Sequence, residues 1–306
     1  MRMKFGRPDL DRYADRFDLP AAGAHSTVSI TWMGVSTLLV DDGSSALLTD
    51  GFFSRPSLLD VATRKISPSV TRIDEALNRA GITRLDAVLP VHTHYDHALD
   101  SAVVAGRTGA TLVGGESAAN IARGQGLPED RIVVAEPGAD LTLGSFDVRL
   151  IESEHCPPVS FPGTITEPVV SPAKASAYRC GEAWSTWIQH RPSGRRLLIQ
   201  GSAGYAAGAL AGVAAEVAYL GVGQLGARTI EYIEQYWTET VRTVGARQVV
   251  LIHWDDFFRP LTEPLRALPF AADDLDVTMG VFAALAEQDG VALRFPTLWK
   301  RADPWA

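Results

Sequence analysis

The chain has 306 residues, 46% of them hydrophobic and 21% charged, with a formal net charge of −8. These values are ordinary for a globular protein with a large core, and the acidic balance without a basic tract argues against a nucleic-acid partner, because phosphate backbones call for clustered Lys and Arg. Two cysteines, Cys156 and Cys180, are too few for a disulfide framework.

At the N-terminus, the stretch Met1 to Asp9 lacks the apolar region of a signal peptide, and no run in the chain approaches the roughly 20 residues of a membrane span. A cytoplasmic protein with no membrane span is expected. The first predicted element, over residues 28–50, is a β-hairpin that turns at Asp41-Asp42-Gly43-Ser44 and ends in Asp50. The loop after it, Gly51-Phe52-Phe53-Ser54-Arg55-Pro56, offers Phe52, Phe53 and a cation as candidates for substrate contact. A helix is predicted over 73–80.

Residues 85–91 then read as a buried apolar strand that runs into His92-Thr93-His94-Tyr95-Asp96-His97, which packs three imidazoles and a carboxylate into six residues. Neutral imidazole is the commonest side-chain metal ligand, and groups crowded this tightly repel one another unless something binds them. A strand ending in a tight loop aims alternate side chains, His92 and His94, at one point. Asp96 and His97 fall on the turn into a following helix, positioned for a second point nearby.

The motif His-x-His-x-Asp-His behind a hydrophobic strand resembles the signature of the metallo-β-lactamase superfamily. That resemblance implies an α+β fold, a four-layer αββα sandwich, here one domain over 1–306, and a binuclear metal hydrolase. It extends to His155, which follows a strand starting at Phe146, and to His253, which ends the apolar run Val249-Val250-Leu251-Ile252. It implies His92, His94 and His155 on one metal, with Asp96, His97 and His253 on a second. Asp50 then lies beneath the site, orienting a histidine through the nitrogen that does not bind metal. The implied cofactor is zinc, two ions per chain, with manganese or iron as alternatives.

One departure stands out. Where the family usually carries a carboxylate bridging both metals, the strand over 196–200 ends in Gly201-Ser202. A neutral hydroxyl is a poor zinc ligand, so Ser202 is assigned to hold a water or a substrate group by hydrogen bonding. Without the bridge, either the second site fills weakly, or both metals bind, as in a subgroup of metallo-β-lactamases with serine at this place. Two divalent ions against Asp96 and one hydroxide leave a positive site, which favours an anionic substrate or oxyanion. Asp96 and Ser202 are the catalytic candidates, Asp96 orienting the attacking water.

Between His155 and the next hairpin, residues 156–172 hold five prolines. Such a loop is expected to be a semi-rigid wall or lid, with Phe161 and Val159 supplying apolar contacts, or else a linker or oligomer contact. Cys156 reads as a free thiol, because neighbours on a strand point to opposite faces. The later elements are a hairpin over 185–200, an apolar run over 215–220, a helix over 227–244, the strand ending in His253 and a helix over 277–287. Trp254 and the phenylalanines after it are expected to line the pocket or pack in the core. The mixture of hairpins and βα units fits two sheets with outer helices better than a doubly wound sheet.

Within the superfamily, the His253-Trp254 pair is similar to the branch containing ascorbate-phosphate lactonase and the N-acyl-phosphatidylethanolamine phospholipase. The implied reaction is cleavage of an ester, lactone or phosphodiester in a small-molecule substrate. The alternatives are β-lactam hydrolysis, native or promiscuous, and a mononuclear iron dioxygenase. A homo-oligomer stays open.

Overall fold

Side-chain alternation along short strands sets up the layers. In Ala87–Leu89, Ala87 and Leu89 enter one buried cluster and Val88 another, because successive strand residues face opposite ways. Leu47 and Leu48 of Ala46–Thr49 divide in the same manner, as do Val113 and Leu112 of Thr111–Gly114. Strands buried on both faces need the continuous apolar runs found here. One cluster fills the space between two sheets, and the other lies beneath the helices Val70–Ala80, Ser101–Thr108 and Glu116–Gly124.

The computed structural model describes residues 4–306, so the first three residues of the stretch Met1 to Asp9 lie outside it. Its first sheet has seven strands, in spatial order Arg301–Ala302, Ser29–Trp32, Leu38–Asp41, Ala46–Thr49, Ala87–Leu89, Thr111–Gly114 and Ile132–Val134. The second, also of seven, runs Ala292–Arg294, Gln248–Ile252, Val217–Gly221, Arg196–Gln200, Ala183–His190, Phe146–Ser153 and Leu141–Leu143. Both mix antiparallel and parallel neighbours. The helices Ile230–Trp237 and Leu275–Asp289 pack on the second sheet through Ile233, Trp237, Met279 and Phe282. This is the αββα sandwich of the metallo-β-lactamase fold. Among the described residues no helix is long and apolar enough to cross a membrane.

Three local expectations change. Residues 28–50 form three antiparallel strands, because Gly34, at φ 89°, makes an extra turn closed by the Thr37 N–H donating to its carbonyl at 2.9 Å. The helix expected over 227–244 starts at Ile230 and loosens into a π-helical turn, Thr238–Arg242. There Thr238 and Thr240 donate to the carbonyls of Glu234 and Tyr236, at 2.9 and 2.6 Å, competing with the helical ladder. The helix Glu116–Gly124, a segment of 9 residues that follows Gly115 and whose apolar positions are mostly alanine, is not among the expected elements.

Five strands deliver their following residues to one edge of the sandwich. Ala46–Thr49 leads to Asp50, Ala87–Leu89 to His92, Phe146–Ser153 to His155, Arg196–Gln200 to Ser202 and Gln248–Ile252 to His253. Behind that edge, Val35 adopts φ 48°, where a β-branched residue is a genuine outlier. Its surroundings hold it there. Its N–H donates to Asp255 Oδ1 at 2.9 Å, and its carbonyl accepts from His253 N at 3.0 Å and Trp32 Nε1 at 2.9 Å. Asp255 pairs with Arg55, both side chains fully buried, and Arg55 also donates to the Asp256 carbonyl at 3.0 Å. A Cβ on Gly34 would lie 2.3 Å from Arg55 Nη1, so this turn accepts only glycine.

Replacing Asp255 by Ala strands a buried guanidinium and is expected to cost about 3–5 kcal/mol, read as an earlier urea unfolding midpoint. The double replacement Arg55→Met with Asp255→Ala is expected to recover most of that loss; an equally unstable double variant would refute the charge-burial account.

Candidate metal centre

The histidines converge in two adjoining groups. His92 Nε2 and His94 Nδ1 stand 3.0 Å apart, and His155 completes a set whose ligand atoms all lie within 4.8 Å of one another. Asp96 Oδ2 lies 3.6 Å from His97 Nε2 and 3.5 Å from His253 Nε2, forming the second set. The rings of His92 and His97 are 3.9 Å apart, centre to centre, so the two sets share a boundary.

These residues fit divalent ions on two counts. Metal–nitrogen bonds of about 2.0–2.1 Å place tetrahedral ligand atoms about 3.3–3.4 Å from each other. The separations of 3.0, 3.5 and 3.6 Å bracket that spacing. Moreover, His97 Nε2 is buried without a hydrogen-bond partner, an arrangement that costs free energy unless a cation takes the lone pair.

The far nitrogens explain which tautomer three of the rings take. His97 Nδ1 donates to Asp50 Oδ2 at 2.7 Å, and His155 Nδ1 donates to the Cys156 carbonyl at 2.8 Å. His94 donates its Nε2–H to the Ser160 carbonyl, which leaves Nδ1 turned to the centre. Such partners fix ring orientation and raise ligand basicity. Asp50 is itself fixed: it sits at φ 52°, is fully buried, and accepts the Val91 N–H on Oδ1 at 2.9 Å.

Charge in the cluster is set by burial and mutual repulsion. Burial, then the neighbouring imidazoles, hold His92 well below the usual histidine range. His155 is pushed down to about 4, by burial first and His94 second. Burial lowers His94 too. At Asp96 burial opposes the charge, but His97 and His253 outweigh it and keep the group ionised. His97 shares its Nδ1 proton with Asp50, whose carboxyl burial pushes upward. Neutral imidazoles with an ionised carboxylate are the state in which such groups bind metal.

Ser202 reaches the same place. It is buried, its hydroxyl faces the Glu154 carbonyl at 3.4 Å, and it lines a cavity of about 270 Å³ with His94, Asp96, His155 and His253. Phe161 lines the cavity as well. The proline-rich segment is a wall pinned from behind, as Cys180 N donates to the Phe161 carbonyl at 2.9 Å and Gly181 N to the Gly163 carbonyl at 3.0 Å. Val159 faces a different, adjacent cavity. Cys156 is a buried free thiol pushed up to about 12 by burial, far from a thiolate ligand.

Three expected substrate contacts do not reach the cavity. Phe52 and Phe53 are buried in separate core clusters, because Asp100 captures the backbone of their loop. It accepts the N–H groups of Phe53 and Ser54 at 2.8 and 2.6 Å. Arg55, the cation of that loop, is sealed against Asp255. Trp254 packs in the core on Trp32, 5.3 Å away, and Phe295, 5.7 Å away. In its place Phe257 and Phe258 line the cavity, together with Gln224. Nothing in the local sequence marks Gln224 or the Ser160 carbonyl, since one comes through loop geometry and the other is backbone.

No family model matches the chain. It is similar to a UPF0173 metal-dependent hydrolase of Myxococcus xanthus, 27% identical over 137 residues, which cover 44% of this chain and 42% of the relative. The chain spans about half the length of the curated relatives it matches, 42% and 55% for the first two. Among solved structures, Igni18, a metallo hydrolase from Ignicoccus hospitalis, superimposes with a TM-score of 0.54 at 18% identity, over 89% of this chain and 96% of that one. CmlA, a diiron β-hydroxylase from Streptomyces venezuelae, gives 0.50 at 13% identity, over 95% of this chain and 58% of that one. At such identities the likeness shows the fold.

Asp50→Ala removes the acceptor of His97 and is expected to weaken metal binding roughly 10- to 100-fold, measured by competition with a chromogenic chelator. Unchanged affinity would remove Asp50 from the site's supporting structure.

Proposed function

We propose that this chain is a metal-dependent hydrolase of small-molecule esters, lactones or phosphodiesters, loaded with two zinc ions, one at each ligand group. The observation that carries this is the pair of adjoining ligand sets opening onto one cavity. The name of the Myxococcus relative supports the same reading. When bound, such ions supply water activation near neutral pH and polarisation of a carbonyl or phosphoryl oxygen.

The chain's own groups do the rest. His92, His94 and His155 hold one position, and Asp96, His97 and His253 the other. Asp50 and the carbonyls of Ser160 and Cys156 keep protons on the far nitrogens, so the near ones stay available. Asp96 is an ionised acceptor facing the cavity and orients the attacking water. Ser202, in place of a bridging carboxylate, offers a hydroxyl donor to water or substrate and leaves the centre more positive than an anionic bridge would. That surplus suits the oxyanion developing in the transition state.

A second reading, iron-dependent oxidation, draws on CmlA, which shows that this fold accommodates iron chemistry. Elemental analysis separates the two. The hydrolase reading expects close to two zinc ions per chain, with His155→Ala and His253→Ala each losing about one. Loss of ester or lactone cleavage on chelation and its return with zinc completes the test. One iron per chain with oxygen uptake would overturn it in favour of oxidation.

A further inference from the structure

Outside its metal-facing side, the cavity above the two ligand groups is walled mainly by apolar surface, with Gln224 and Ser160 as uncharged polar groups. Phe161 stands over the first group, its ring 6.5 Å from that of His94 and nearly perpendicular to it. Phe257 stands over the second, 5.6 Å from His253 at 81°, and Phe258 leans on Phe257 at 4.5 Å. Val61 and Leu268 add aliphatic surface. Aromatic faces thus flank the place where a scissile group would sit, on both sides.

Charge complements this shape. Among the described residues, Asp96 is the only carboxylate lining the cavity, and no Lys or Arg lines it. The adjacent cavity, of about 480 Å³ across the proline-rich wall, contributes Glu154 and again no basic residue. A second anionic group on a substrate would lose its hydration here without gaining a partner, which is costly. The general preference for anions expected from the charge balance therefore narrows to the reacting oxygen itself.

Phe161 adds an independent sign. It keeps φ 46° and leaves 38% of its surface exposed at the cavity mouth. A large apolar side chain held in strained backbone and partly in water points to a ligand that covers it.

We infer that the cavity is a subsite for an uncharged, apolar substituent of the substrate, an acyl chain next to the scissile carbonyl, and that Phe161, Phe257 and Phe258 set its size. This deepens the hydrolase reading and rests on it. A volume of about 270 Å³ holds roughly nine water-sized groups, so a chain of roughly six to eight carbons fills it.

The test measures binding, by titration calorimetry of the zinc-reconstituted full chain with straight-chain alkylhydroxamic acids of increasing length. Affinity is expected to rise about fourfold per methylene up to six or eight carbons and then level off. A hydroxamate of the same length ending in a carboxylate is expected to bind at least tenfold more weakly. Phe161→Ala and Phe257→Ala, both at partly exposed positions, are expected to flatten the length dependence while acetohydroxamate still binds. Affinity independent of length, or a carboxylate-ended chain bound as well as its neutral counterpart, would overturn the subsite and leave the metal centre standing. Zinc bound at two per chain with no hydroxamate affinity at all would overturn the subsite; failure to bind zinc would overturn the hydrolase reading beneath it.

Discussion

Five imidazoles and one carboxylate whose free electron pairs point into the same small space form the constraint on which the rest of this molecule depends. Burial strips His92, His94 and His155 of charge, and repulsion from neighbouring imidazoles deepens the effect, so this group becomes a set of neutral donors suited to a cation. Such a cluster does not assemble on its own side chains. It is imposed by strands from two sheets that stop at one edge of a packed sandwich, so the free energy of the hydrophobic core is what holds the donors together.

The supporting contacts are as particular as the donors. Three rings take their orientation from Asp50, the Ser160 carbonyl and the Cys156 carbonyl, two of these in the proline-rich segment. That segment therefore does two things at once, steadying His94 and His155 from outside while Phe161 forms the cavity wall. On the opposite side, His253 hangs from Val35, whose strained backbone is tied to the buried Asp255–Arg55 pair. The residues after His253 serve as its anchor first, and Phe257 and Phe258 turn towards the cavity.

The serine at position 202 links the electrostatics to specificity. A carboxylate there would neutralise part of the metal charge, whereas a hydroxyl leaves that charge to act on the reacting oxygen. Among the described residues the surrounding walls add no further charge; they are mainly aromatic and aliphatic, with Gln224 and Ser160 as uncharged polar groups. On the proposed reading, a positive point in a mainly apolar cavity suits a neutral molecule that becomes anionic as it reacts, and water excluded by the walls strengthens the attraction.

The donors were legible in the sequence because each lies just beyond the end of a strand, and four of them fall within six residues. Asp50 was legible for the same reason, as the polar end of a strand. The layered fold could be read from the alternation of hairpins and βα units. Strand alternation and abrupt polarity at strand ends are local properties, and local properties survive in a one-dimensional code. What Phe52, Phe53 and Trp254 do was decided only in three dimensions, because Asp100 draws one loop inward and three aromatic rings enclose the indole. The same holds for the Arg55–Asp255 pair, 200 residues apart, and for the Ser160 carbonyl, whose role needs no particular side chain. The sequence by itself determined which atoms can hold metal, since that is a matter of donor chemistry; the tertiary structure decided what surrounds them, since loop paths follow from long-range packing and backbone hydrogen bonds that residue identity does not announce.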